Sequence, residues 1–204
     1  MISFQKRFLF VHIHKTAGNS IQSILRRYSE DEIVSVRAHQ DGIERFGVRN
    51  PNYPIKKHST LAEYRVALGE EQFRALYKFT CVRNPWDRLI SLYFSPSRGR
   101  GQWDRKLFKK LVSNTLSVAD HLQLEKNDAD PFSNVDRVMR FEALATDFRS
   151  VCNELGIPWA PLPIYNRSSR EHYSKYFDDE LRESVRRKFA PEIERFGYTF
   201  DRTE

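Results

Sequence analysis

The chain has 204 residues with 34 Lys and Arg against 27 Asp and Glu, giving a formal net charge of +7 and a sequence pI near 9.5. A 40% hydrophobic share, 13% aromatic and 30% charged supply one sizeable core and a solvated surface, so residues 1–204 are expected to form a single domain. No apolar run reaches the roughly 18 residues of a membrane helix, and the first apolar run starts too early for a signal peptide, so a soluble, cytoplasmic protein is expected.

The basic excess favours an anionic ligand, cofactor or polysaccharide, and by itself identifies no nucleic acid. Cys81 and Cys152 have neither zinc spacing nor the pattern of a disulfide framework, so both are expected as buried, reduced thiols.

Residues 8–13, Phe-Leu-Phe-Val-His-Ile, form a short apolar run that predicts a buried parallel strand. A small-residue loop, Lys15 to Ser20, follows. Ile21, Ile24, Leu25 and Tyr28 then fall at helical spacing. At such a strand-loop-helix junction the first helical N–H groups are unpartnered and sit at the positive end of the dipole. Lys15 adds charge, Thr16, Asn19 and Ser20 add donors, and Gly18 permits close approach by the backbone, so the loop suits an anion. It is not a Walker A loop, because Lys15-Thr16 precedes the only Gly.

Residues 33–36 predict a second short strand, and residues 38–57, rich in Gly, Asn and Pro, a long surface loop. His58 then stands just ahead of a helix whose start is marked by Thr60 and Glu63 as a capping box and whose end is marked by Gly69. Residues 78–82 predict another buried strand. After it Asn84 suits a cap, Pro85 the first helical turn and Asp87 the dipole, which leaves Arg83 at a strand's C-terminal edge. Ser91 lies two helical turns beyond Arg83.

Residues 96–106 are basic and Gly-containing and suit either a solvated loop or the edge of a groove for an anionic acceptor. Helices are expected over 107–112 and 118–124, a strand over 135–141, and a helix carrying Leu144, Phe148, Val151, Cys152 and Leu155 that closes at Gly156. Prolines 158, 161 and 163 punctuate a loop leading to Tyr165-Asn-Arg-Ser-Ser-Arg170. Residues 178–197 have helical spacing, divided by Pro191. This alternation predicts a three-layer α/β domain with a mostly parallel central sheet flanked by helices.

Three of these stretches carry a resemblance. Phe10-Val-His-Ile-His-Lys-Thr-Ala-Gly-Asn-Ser20 resembles the phosphosulfate-binding loop of the sulfotransferases, in the branch that includes carbohydrate sulfotransferases, with His14 where the family usually has Pro. Arg83-Asn-Pro-Trp-Asp-Arg-Leu-Ile-Ser91 resembles the family's 3′-phosphate-binding motif, and Glu194-Arg-Phe-Gly-Tyr198 its C-terminal closure.

The resemblance implies a P-loop-like sulfotransferase fold and PAPS (3′-phosphoadenosine 5′-phosphosulfate) as co-substrate. Lys15, Thr16, Ala17, Gly18, Asn19 and Ser20 would then hold its sulfonated end, and Arg83 and Ser91 its 3′-phosphate. Arg167, Ser168 and Ser169 match a late loop that lies near the nucleotide in related enzymes. His58, followed by Ser59-Thr60, stands where glycan sulfotransferases carry a catalytic His, which makes it the expected general base, with Lys15 opposite the leaving phosphate. The expected acceptor is a hydroxyl of a glycan or glycolipid, with no nucleic acid and no metal.

Other readings stay open on the residues alone: a P-loop-like nucleotide kinase, which lacks its Walker loop here; a non-catalytic basic module that binds polyanions; and a metal site at His12 and His14, for which no spacing completes a ligand set.

Overall fold

The computed structural model describes residues 1–35, 46–95, 101–163 and 170–201. In chain order its strands and α-helices are β1 (Ile2–Ser3), β2 (Phe8–Val11), α1 (Gly18–Leu25), β3 (Glu32–Ser35), β4 (Phe46–Arg49), α2 (Leu61–Leu68), α3 (Glu70–Ala75), β5 (Tyr77–Val82), α4 (Pro85–Tyr93), α5 (Arg105–Asn114), α6 (Val118–Leu122), β6 (Arg137–Arg140), α7 (Leu144–Glu154), α8 (Asp179–Lys188) and α9 (Ala190–Phe196). Among the described residues no helix is long and apolar enough to cross a membrane.

The chain is α/β, with a four-stranded sheet of order β1-β2-β5-β6. β1 runs antiparallel to β2, while β2, β5 and β6 are mutually parallel, with Phe10 opposite Phe79 and Cys81 opposite Met139. Alternation along each strand sends successive side chains to opposite faces. Phe8, Phe10, Phe79, Cys81 and Met139 bury one face against Ile21 and Leu25 of α1 and Phe148, Val151 and Cys152 of α7. Leu9, Val11 and Val82 bury the other against α2, α4, α5 and α8, through residues such as Tyr64, Leu89, Phe108 and Val185.

Each wholly buried Leu, Val or Phe contributes about 1.5–3 kcal/mol of transfer free energy, and this two-sided core fixes the register. A one-residue slip of β5 would turn Phe79 and Cys81 toward the opposite helical layer. The helices after β2 and β5 leave on opposite faces, so the loops that follow these two neighbouring strands diverge. Ligands of open α/β sheets bind in such a crevice.

Several local signals act as expected. Thr60 accepts a hydrogen bond from the Glu63 amide at 3.3 Å, while Glu63 accepts one from the Thr60 amide at 2.7 Å, closing the capping box of α2. Gly69 has φ +74 and turns the chain directly into α3. Pro191 opens α9 and so divides the C-terminal helical stretch. Cys81 and Cys152 are free and buried.

One expectation is corrected. Residues 38–57 are not loop throughout, because β4 lies within them and pairs antiparallel with β3, Ile33 opposite Val48, in a two-stranded sheet separate from the main one. The second strand expected at 33–36 is β3 of this hairpin. Phe-Gly-Val-Arg alternates over four residues, enough for a short ladder, before Asn50 and Pro51 end it. Residues 36–45, 96–100 and 164–169 lie outside the described residues. Part of the basic 96–106 stretch and the candidates Arg167, Ser168 and Ser169 fall among them.

Candidate active site

Strands β2, β5 and β6 end together at Val11, Val82 and Arg140, so the segments that follow them share one edge of the sheet. From β2, residues 12–17 lead into α1. Lys15 and Ala17 both have φ 65. Holding two non-glycine residues in the left-handed region costs about 1–2 kcal/mol each, which the surroundings must offset.

Two hydrogen bonds do this. Thr16 is wholly buried and its hydroxyl donates to the Ile13 carbonyl at 2.9 Å, and the Lys15 carbonyl accepts from Arg83 Nη1 at 3.1 Å. A loop of this kind feeding a helix N-terminus converges backbone N–H groups on one point. Thr16 therefore braces the loop with its hydroxyl proton. Gly18 packs against His12 with no room for a side chain, and Ser20 is buried at the start of α1.

From β5, Arg83 enters the same edge. Its Nε and Nη2 donate to Asp87 Oδ2 at 2.8 and 2.5 Å, and its guanidinium lies 3.9 Å from the ring centroid of Phe141. With Nη1 on the Lys15 carbonyl, three of the five N–H groups are committed and two remain. Asn84 fixes this turn. Its Oδ1 accepts from the amides of Trp86 and Asp87, its Nδ2 donates to the Thr199 carbonyl at 2.9 Å, and its amide donates to Glu142 at 2.8 Å.

The other Asp87 oxygen accepts from Arg170. Burial alone would raise the Asp87 carboxyl, but the two guanidiniums outweigh it and hold the group below its ordinary range, so it stays ionised. Lys15 is pushed down to about 8 by burial, with Arg83 and Arg170 adding to the effect. Arg83 and Arg170 share the Asp87 carboxylate and their charges act on Lys15, so cations outnumber anions among these four side chains, which favours an incoming anion. Ser91 is buried within α4 and makes no hydrogen bond to Arg83 or Lys15.

His58 reaches the β2 segment from just ahead of α2. Its Nδ1 lies 2.8 Å from the His12 carbonyl. A carbonyl can only accept, so Nδ1 carries the proton and Nε2 keeps its lone pair. The His14 ring stacks on His58 with centroids 3.5 Å apart and planes at 22°, and His12 approaches at 4.6 Å and 65°. His12 is buried, with Nδ1 2.9 Å from Gln22 Oε1. Burial pushes His58 down to about 4 against the opposing effect of the His12 carbonyl, with Lys57 and His121 contributing. Burial, followed by the charges of His58, Lys57 and His14, drives His12 down as well. Both rings are neutral near pH 7. Among the described residues no group of three or more His, Cys, Asp or Glu is arranged to hold a metal ion, and His12 and His14 flank His58 instead of converging on a common point beside a strand.

Two participants were not singled out from the sequence. Arg170 ends the Asn-Arg-Ser-Ser-Arg run, and only its charge hinted at a role. Asp87 was legible as a helix-start acid, yet it also bridges two arginines. Beside it lies a cleft of about 300 Å³ lined by Asn84, Asp87, Arg140, Glu142, Tyr173, Gly197, Tyr198, Thr199 and Asp201.

Comparison with curated proteins and with solved structures gave no significant match. The model of the Sulfotransferase family matches residues 1–199. That match spans the sheet, both loops of the crevice and the C-terminal helices, so the chain belongs to the sulfotransferase family and is a transferase that moves a sulfuryl group from a sulfate donor such as PAPS.

Proposed function

We propose that the donor is PAPS, that the acceptor is a carbohydrate hydroxyl, and that His58 is the general base. The observation that carries this reading is the bond from His58 Nδ1 to the His12 carbonyl. It leaves Nε2 as the one basic nitrogen of a neutral ring tied to the anion loop. The loop from Lys15 through Thr16, Ala17, Gly18, Asn19 and Ser20 would hold the 5′-phosphosulfate, mainly through backbone N–H groups. Arg83, with its two uncommitted N–H groups, and Ser91 would hold the 3′-phosphate. The position of Arg170 supports a further contribution from the adjoining Arg167, Ser168 and Ser169.

These residues fit the donor chemically, with Lys15 and Arg83 beside a backbone loop that Gly18 brings into close contact with His12. His58 takes the acceptor's proton as its oxygen bonds to sulfur, and the bond from sulfur to the 5′-phosphate oxygen breaks. Lys15 offsets the charge that grows on that oxygen. A neutral His58 is available throughout the physiological range, and the negative charge of a bound donor would raise its basicity. The net charge of +7 supports an acceptor that is itself anionic, and the two buried thiols support a cytoplasmic setting.

The test is incubation with radiolabelled PAPS and desulfated heparin, chondroitin, a galactosyl lipid and a tyrosine peptide. Label is expected on a glycan, with His58→Ala lowering transfer by about 10²–10⁴-fold and adenosine 3′,5′-bisphosphate binding retained. No binding of that nucleotide at low salt overturns the donor assignment, and undiminished transfer by His58→Ala removes the base.

A further inference from the structure

We propose that His14 is a positioning residue, which holds the ring of His58 in place by stacking on its face while the His12 carbonyl holds its edge. The inference rests on the reading of His58 as the base, and it assigns a purpose to the position at which this chain departs from its family's usual Pro.

The geometry is that of a clamp. A ring anchored by one hydrogen bond at Nδ1 can still swing about that bond, and the swing moves Nε2, the atom that must meet the acceptor proton. The His12 carbonyl, 2.8 Å away, supplies the anchor. His14 covers the ring's face at 3.5 Å, nearly parallel, and the His12 ring packs against it at 65°.

His12 is itself held on three sides. It is buried, bonded to Gln22, stacked on Phe10 with centroids 5.9 Å apart, and pressed against Gly18. His12 and His14 both lie in the segment that runs from β2 into the loop carrying Lys15. One backbone stretch therefore positions the base and the cationic residue together. A pyrrolidine ring at residue 14 has no π face to offer His58, whereas an imidazole stacks on it. Positional error of about 1 Å at a reacting group costs rates on the order of 10²-fold, so restricting this swing has a purpose that a solvated loop histidine would not serve.

The test is read on the chain of 204 residues by NMR of ¹⁵N-labelled histidines at near-neutral pH, using adenosine 3′,5′-bisphosphate as the bound probe. Native His58 is expected in a single form with its proton on Nδ1. In His14→Ala the ratio of the native ring orientation to alternatives, read as exchange broadening of the His58 ring signals, should fall about fivefold, the size of one lost stacked pair, with nucleotide affinity kept within about twofold. His14→Phe, planar and without a titratable group, should restore the native spectrum.

A His14→Ala spectrum whose His58 ring signals stay as sharp as the native ones overturns the proposal, as does a His14→Phe spectrum no better ordered than that of Ala. A loss of nucleotide affinity beyond about tenfold in both variants overturns it too, since His14 would then belong to the nucleotide site. Failure of the base reading is separate, because it shows as undiminished sulfuryl transfer by His58→Ala whatever the tautomer of His58.

Discussion

Gly18 lies so close to the imidazole of His12 that a Cβ at residue 18 would come within 2.0 Å of the ring's Cδ2 and Nε2. Neither partner has room to yield. Gly18 begins α1, and the His12 ring is buried and bonded to Gln22 on that same helix. The residue displaced would be the one whose carbonyl anchors His58. Gly18→Ala is therefore expected to destabilise the fold by about 1–3 kcal/mol, the usual cost of overpacking. It should also weaken adenosine 3′,5′-bisphosphate binding by at least about tenfold through the shifted loop. Urea unfolding and calorimetric titration check the two effects, and a variant with native stability and affinity would show that this contact does not set the loop.

Arg83 spends three N–H groups on Asp87 and the Lys15 carbonyl, and the proposal gives its remaining two to the 3′-phosphate. Hydrogen bonds to charged groups contribute about 1.5–3 kcal/mol, so Arg83→Ala should weaken adenosine 3′,5′-bisphosphate by about 10–100-fold. Adenosine 5′-phosphosulfate, which lacks the 3′-phosphate, should lose much less. Asp87→Asn should have the smaller effect of the two, since it loosens Arg83 but also removes a negative charge from the site. Competition titrations with both nucleotides measure the discrimination, and equal losses for the two would place Arg83 elsewhere than at the 3′-phosphate.

The framework of this site was legible because its signals are local. The apolar run over residues 8–13 marked β2, Thr60 and Glu63 marked the start of α2, and Asn84-Pro85 marked that of α4. Each depends on neighbours within a few residues. What stayed hidden depends on distance along the chain. His14 and His58 stand 44 residues apart in sequence, and nothing near either predicts a stack. Asp87 has an adequate local reason to exist, at the first turn of α4, which masks its bond to Arg170 across 83 residues. The β3–β4 hairpin was missed because its second strand is only four residues long and sits in a stretch whose composition signals loop.

Lys15 makes cofactor affinity depend on pH in a defined direction. Burial, then the charges of Arg83 and Arg170, push its ammonium down to about 8. The charged form is present below that value and is lost above it. A bound phosphosulfate favours the charged form and raises the value again. Above the second ionisation of its phosphates, near pH 6, affinity for adenosine 3′,5′-bisphosphate should therefore be flat up to about pH 8 and fall beyond it, with proton uptake on binding that approaches about one per nucleotide. Titration calorimetry in buffers of different ionisation enthalpy reads that uptake directly. Lys15→Met should bind more weakly and lose the dependence, and a native chain that takes up no proton above pH 8 would contradict the assignment.

Away from the site, Arg88 and Glu192 are 1% and 0% exposed, with Arg88 Nη1 3.7 Å from Glu192 Oε1, too far for a hydrogen bond. Arg88 Nη2 donates to the Leu116 carbonyl at 2.7 Å, and Glu192 Oε1 accepts from the Val118 amide at 3.0 Å. Arg88 Nε and Nη1 and Glu192 Oε2 have no partner among the described residues. Burial raises Glu192 to about 7 despite the opposing charge of Arg88. The two members differ in one respect: Glu192 can become neutral by taking up a proton, and a guanidinium cannot lose one. Above pH 7, where the native carboxylate is ionised, Glu192→Leu strands a buried positive charge and should cost about 3–5 kcal/mol. Arg88→Met leaves a carboxyl that protonates in place, so below pH 7 its cost should be nearer the 1–3 kcal/mol of one unpaired carbonyl. The double variant should recover most of the Glu192→Leu loss, because apolar replacement of a poorly bonded buried pair is often neutral. Urea unfolding of Glu192→Leu and the double variant near pH 8, and of Arg88→Met near pH 6, each against the native chain at the same pH, decides this, and an Arg88→Met loss equal to or larger than that of Glu192→Leu would show that the pair is held by attraction strong enough to outweigh its desolvation.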